Sequence, residues 1–226
     1  MTAETSGSVV TWWAVISAFG GTVIGGGISY FLARMNLNAA SKQRDEDRLR
    51  TRQALAYSLL FKIMTIVSRL HHIRQSIREM FAEAEKAGFR GEPWNVMRPV
   101  VPIPARMNFL AEEMALVLSI DDKTFNEISS LDEIHNSTMA VLATYGTQRS
   151  AVMAHFGAEM NGAIGTTKLT REQAEWLAPR TFELNQIAKE FVTRIEQDAE
   201  TAKTALKSLH ATLEKELKLK KKLEFV

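Results

Sequence analysis

Residues 5–33 contain no Asp, Glu, His, Lys or Arg. A run of that length needs apolar cover, either a protein core or hydrocarbon. About 20 apolar residues, at a helical rise of about 1.5 Å each, cross the roughly 30 Å core of a bilayer. Val9, Val10, Val15, Ile16, Phe19, Val23, Ile24, Ile28, Phe31 and Leu32 together favour insertion by about 3–6 kcal/mol. Trp12, Trp13 and Tyr30 lie toward the ends, where amphipathic aromatics prefer the headgroup zone. A cleaved signal peptide would need a basic start and a small-residue cleavage site, but this start carries Glu4 and no Lys or Arg. The run therefore reads as a transmembrane helix within a first segment, residues 1–34.

Basic residues orient it. Arg34, Lys42, Arg44, Arg48, Arg50 and Arg52 all follow the run, and none precedes it. The positive-inside rule leaves a short N-terminus outside and the bulk of the chain in the cytoplasm, single-pass in the cell (inner) membrane. Cysteine is absent, which excludes a disulfide framework, a thiolate nucleophile and a Cys-ligated metal.

Within the run, Ser17, Gly21, Gly25 and Ser29 repeat at four-residue spacing, and Ala14, Ala18, Thr22 and Gly26 form a neighbouring row. Small side chains at this spacing let helix backbones approach closely, giving packing that lipid does not supply. The expectation is a homo-oligomer packed through Ser17, Ala18, Gly21, Thr22, Gly25, Gly26 and Ser29, its subunit number left open.

Residues 35–55 read as a charged juxtamembrane helix, with Asp45–Arg48 and Glu46–Arg50 at pairing distance along it. From Ala56 the spacing sharpens. Ala56, Leu59, Ile63, Ile66, Leu70, Ile73, Ile77, Met80 and Ala84 form a heptad seam, widened near its start by Leu60, Phe61, Met64 and Val67. Gly88 is placed to end that helix.

Residues 89–105 hold Pro93, Pro99, Pro102 and Pro104 and break the pattern. This loop either packs back over the helices or presents Trp94, Met97 and Val100 to a partner. A short helix is expected over 106–119, with Met107, Leu110, Ala111, Met114 and Leu118 on one side. Asp121 is placed to cap a further helix, along which Ile128, Leu131, His135, Thr138, Leu142, Tyr145, Val152 and Phe156 share a face. Residues 157–167 read as a second loop. Thr170 with Gln173 matches a capping box, and Pro179 either starts or kinks the helix that follows. Leu184, Ala188, Phe191, Ile195, Ala202, Leu206, Leu209, Leu213 and Leu217 line one side of the last helix.

No strand run stands out. The expected fold class is all-α: a single N-terminal transmembrane helix, then over 56–226 a cytoplasmic antiparallel helical bundle with two long helices of about 45–50 residues. Short connections make neighbouring helices alternate, which returns the last helix toward the bilayer. Lys215, Lys218, Lys220, Lys221 and Lys222 then suit either a solvated helix end or anionic headgroups, with Arg34 at the other contact point. A net charge of +2 gives no case for nucleic acid as a partner.

Catalytic constellations are missing from the sequence. Residues 20–27 lie in the apolar run, and 157–165 lack the lysine and the strand of a phosphate loop. Asp132 with His135, and His155 with Glu159, have ligand-like spacing, but on one helix they stand about 30 Å apart and cannot share a metal. His135 on an apolar stripe reads as a hydrogen-bonded core residue, and His71 and His72 likewise. The expectation is a non-enzymatic, membrane-anchored scaffold or adaptor without cofactor, contacting membrane lipid and a cytoplasmic protein partner. The alternative is an effector or pore-forming subunit assembled through the glycine-rich span, which offers only Ser17, Thr22 and Ser29 to line water.

Overall fold

A computed structural model describes residues 7–89, 91–100, 102–156, 160–161, 164–165 and 169–219, with side chains for 30–89, 91–100, 102–155 and 169–219. The helices are α1 (Gly7–Lys86), α2 (Pro93–Val96), α3 (Ala111–Leu118), α4 (Asp122–Ile128), α5 (Leu131–Phe156) and α6 (Arg171–Leu217). Two compact units result, Met1–Thr51 and Arg52–Val226.

In the first unit α1 is helical from Gly7. Among the described residues no helix is long and apolar enough to cross a membrane. Up to residue 29 only the backbone of the expected span is described, so the side chains at Ser17, Ala18, Gly21, Thr22, Gly25, Gly26 and Ser29 fall outside the description. Residues 30–51 stand exposed except for half-buried Ala40. The expected Asp45–Arg48 and Glu46–Arg50 pairs do not form. Among the described residues no ion pair involves this stretch; Thr51 Oγ1 bonds back to Asp47 O at 2.9 Å instead. Long exposed side chains gain too little from such a pair to be held in one rotamer.

The second unit is a helical bundle. From Ala56 the heptad seam of α1 is buried through Ile77, and its Met80 and Ala84 are half-buried. Phe61, expected to widen the seam, is 71% exposed. It follows Leu60, and one step of about 100° around the helix carries it off the buried face. Gly88 takes φ +70, with Gly88 N bonding Glu85 O and Phe89 N bonding Ala84 O. This is the left-handed ending that glycine adopts without strain.

Cross-chain hydrogen bonds fix the directions. Gln53 Nε2 donates to Leu217 O, Arg74 to Glu200 and Arg78 to Glu196, so this part of α1 and α6 are antiparallel. Thr124 meets Thr212, and Thr138 donates to Asp198, so α4 and α5 also oppose α6. Between α1 and α4 the chain returns along α1: Arg98 donates to Glu83, Arg69 to Ala105 O, and Lys62 to Glu113. The expected alternation of direction therefore holds.

The expected helix over 106–119 is shorter, however. Residues 103–110 have no regular secondary structure, Leu110 is extended, and only Ala111–Leu118 is helical. It buries Glu113, Leu116 and Val117 and leaves Leu110 and Leu118 outside, a different face from the one expected. The single helix expected after Asp121 is interrupted at Ser129–Ser130, whose polar groups compete with helical bonds. Ser129 Oγ bonds Asn126 O, and Ile134 N restarts on Ser130 O.

Along α5 the expected stripe is buried at Leu131, His135, Thr138, Leu142, Tyr145 and Val152, and Ile128 of α4 is buried with it. Asp121 Oδ2 accepts from Thr124 N, and Thr170 with Gln173 forms the reciprocal cap of α6. The loop over 157–167 contains a minimal antiparallel pair, β1 (Met160–Asn161) and β2 (Ile164–Gly165). Pro179 lies inside α6, neither starting it nor ending it. Its missing donor is accompanied by local side-chain bonds: Arg180 Nη1 to Trp176 O, and Thr181 Oγ1 to Leu177 O and Ala178 O. The expected apolar side of α6 is buried throughout. Lys218 closes the helix in a left-handed conformation, and Leu219 is buried behind it.

Candidate functional site

Residues 105–110 form a strap, tied down by polar side chains of α1, α3 and α5. Arg69 Nη1 donates to Ala105 O at 2.9 Å. Asn136 pairs with Met107 as a β-neighbour would: Met107 N donates to Oδ1 (2.9 Å), and Nδ2 donates to Met107 O (2.7 Å). Phe109 N donates to Asp132 Oδ2, and Leu110 N donates to Glu113 Oε2. Side chains thus supply the partners that the backbone groups of this segment would otherwise find in a helix or sheet.

Two buried ionisable groups anchor this arrangement. Glu113 accepts from Ser58 Oγ (2.7 Å), Lys62 Nζ (2.8 Å) and the Leu110 amide (2.8 Å). Burial pushes its carboxyl up, but the Leu110 amide, Lys62 and Ser58 together hold it below its ordinary value. His135 is fully buried. Its Nε2 lies 3.4 Å from Arg69 Nη1, and its Nδ1 3.2 Å from Asn136 Oδ1. A guanidinium only donates, so Nε2 is the acceptor and Nδ1 carries the proton. Burial, and then the Arg69 charge against the Asn136 bond, leave this imidazole below its ordinary value. The ring is a neutral link between α1 and the strap.

The Pro-rich loop is held in a similar way. Tyr145 Oη donates to Met97 O (2.6 Å) and Trp94 O (3.1 Å), and burial pushes its phenol up to about 12. Met97 is buried, while Trp94 and Val100 are half-buried against the core. The loop thus packs back over the bundle, the first of the two roles expected for it, and Met97 is not on the surface. Nearby, His155 stacks on Trp176 at 4.0 Å, and the Arg180 guanidinium lies 3.9 Å from the same ring, joining the end of α5 to the start of α6.

The remaining sequence candidates do not converge. His71 and His72 are exposed, and His71 Nδ1 accepts from Arg74. Asp132 is engaged by the strap and does not contact His135 in a ligand-like pair. Lys218 is exposed, and Lys220, Lys221 and Lys222 fall outside the described residues, as does Glu159. Among the described residues no group of His, Asp and Glu is placed to hold a metal ion. Sequence reasoning missed Glu113, Lys62, Arg69 and Asn136. The available signal was Glu113 itself, a carboxylate three residues after Leu110, where it reaches back to a helix's first free amide.

Three large apolar side chains on these segments are exposed. Phe61, Leu110 and Leu118 are 71%, 51% and 48% exposed, on or beside the segments joined by the Lys62–Glu113 pair. Comparison with protein-family models, curated proteins and solved structures finds no match to this chain.

Proposed function

We propose that the protein is a single-pass, membrane-anchored and self-associating helical scaffold, which presents its bundle to a protein partner in the cytoplasm and performs no chemistry of its own. The observation that carries this reading is the exposure of Phe61, Leu110 and Leu118 on a bundle whose buried ionisable groups Glu113 and His135 are occupied in holding the chain together. Large side chains left outside around a rigid polar clamp suit docking of another protein. The anchoring half rests on the sequence of residues 5–33, the basic residues that follow it, and the small-residue rows within it.

The test is capture from mild detergent with the full chain and with Phe61→Asp, both checked for unchanged helix content. A partner retained by the first and lost by the second supports the reading. Identical recovery with both removes this surface from the interaction.

A further inference from the structure

Residues 30–51 of α1 form a helix exposed around its circumference, in which only Ala40 is even half-buried. Its charged side chains make no ion pair among the described residues. An isolated helix in water draws little stability from propensity alone and depends on a covered face. Counting back in heptads from buried Ile63, Leu60 and Ala56 gives one stripe: Leu32, Met35, Ala39, Lys42, Glu46 and Leu49. The four apolar members therefore occupy coiled-coil seam positions with none of the described residues over them.

We infer that a second copy of this chain covers the stripe, in a parallel, in-register helix pair over residues 32–50. The inference deepens the self-association proposed above, and its parallel sense rests on the membrane reading, because spans entering one bilayer in the same orientation bring their following helices out side by side. Charge complementarity selects the same partner. In that frame Asp45 precedes the seam on one helix and Arg50 follows it five residues later on the other, the positions that pair across a parallel coiled coil. Neither makes an ion pair among the described residues of its own chain. Lys42 and Glu46 occupy successive seam layers with opposite charges, so each lysine reaches the glutamate layer. Polar seam residues of this kind reduce stability and specify register.

The chain has no cysteine, so single substitutions report the geometry directly. Full-length protein in mild detergent carrying Ala39→Cys or Leu49→Cys should form disulfide-linked dimers on mild oxidation, while Arg44→Cys, on the outer side of the helix, should not. Asp45→Arg should weaken cross-linking at position 49 by about twofold per lost pair, and adding Arg50→Asp should restore it. An antiparallel pair centred near residue 44 would hold the two position-49 side chains about 15 Å apart along the axis, and would link only mixed Ala39→Cys and Leu49→Cys chains. That pattern, or equal linking at Arg44→Cys, or none at positions 39 and 49, overturns the inference. Native mass and liposome flotation of the same preparations separate the two proposals. An oligomer that floats without seam cross-links loses only the coiled coil, and seam cross-links in a protein that does not float remove the membrane anchor.

Discussion

Lys62 Nζ sits 2.8 Å from Glu113 Oε2, and the Glu113 side chain is buried completely. The ammonium is the only full positive charge on this carboxylate among the described residues; Ser58 and the Leu110 amide supply neutral donors. Lys62→Met removes the countercharge and leaves the acid buried, at a cost of about 3 kcal/mol in chemical denaturation, the lower end for a broken buried pair because Lys62 is partly exposed. Because the folded-state value of Glu113 lies below 4.5, its contribution is present above pH 4.5 and is lost as pH falls through the folded value. In the variant that acid-dependent loss shrinks. An unchanged acid limb would show that Glu113 does not titrate as described.

Asn136 makes two bonds to the backbone of Met107, and Arg106 beside it is exposed. Asn136→Ala strands the Met107 amide and carbonyl, at a cost of about 2 kcal/mol. Limited trypsin digestion should then cut after Arg106 several times faster than in the parent chain, while sites in the bundle helices keep their rates. Equal cutting after Arg106 would mean that the strap is held by its other contacts.

His135 gives the bundle a second pH dependence. Its folded-state value lies below 6.5, so between the two values the unfolded chain binds the extra proton. Stability is therefore full above pH 6.5 and declines as pH falls through that value, levelling below the folded one. The groups facing the ring are Arg69 of α1 and Asn136 of its own helix; Asp132 on that helix is engaged by the strap. Denaturation midpoints across pH 7.5 to 5 should slope, and His135→Gln should flatten the slope. A slope that survives in the variant belongs to another group.

Tyr145→Phe removes one hydroxyl that serves two carbonyls, those of Met97 and Trp94. The expected cost is about 1–2 kcal/mol, the range for a buried hydrogen bond whose acceptors lose their partner. Spectroscopic titration of the folded protein should show one tyrosine ionising near pH 12, and that transition should vanish in the variant. If every tyrosine ionises near pH 10, the loop is not closed over this ring.

The long helices were legible because burial imposes a period. Seven apolar positions from Ala56 to Ile77, and the line from Leu184 to Leu217, repeat at three and four residues, and the core follows them. Caps at Asp121, Thr170 and Gly88 were legible because each is a local backbone requirement. The strap was not. Met107, Leu110, Met114 and Leu118 satisfy a helical spacing by themselves, yet bonds from Asn136 and Asp132, donors and acceptors 23 to 29 residues away, hold 107–109 out of a helix. The polar layer was hidden for the same reason: Lys62 and Glu113 are 51 residues apart, Arg69 and His135 66. Phe61 misleads because an apolar residue beside a seam fits the seam's composition, whereas a step of about 100° around the helix leaves it exposed.

Flotation of the full chain with liposomes in a density gradient, after an alkaline wash, reports whether residues 1–34 anchor it in lipid. Protein that rises with the lipid and stays there, while a chain lacking residues 1–34 remains at the bottom, is the predicted result. Full-length protein left in the dense fraction, free of lipid, would contradict the anchored scaffold.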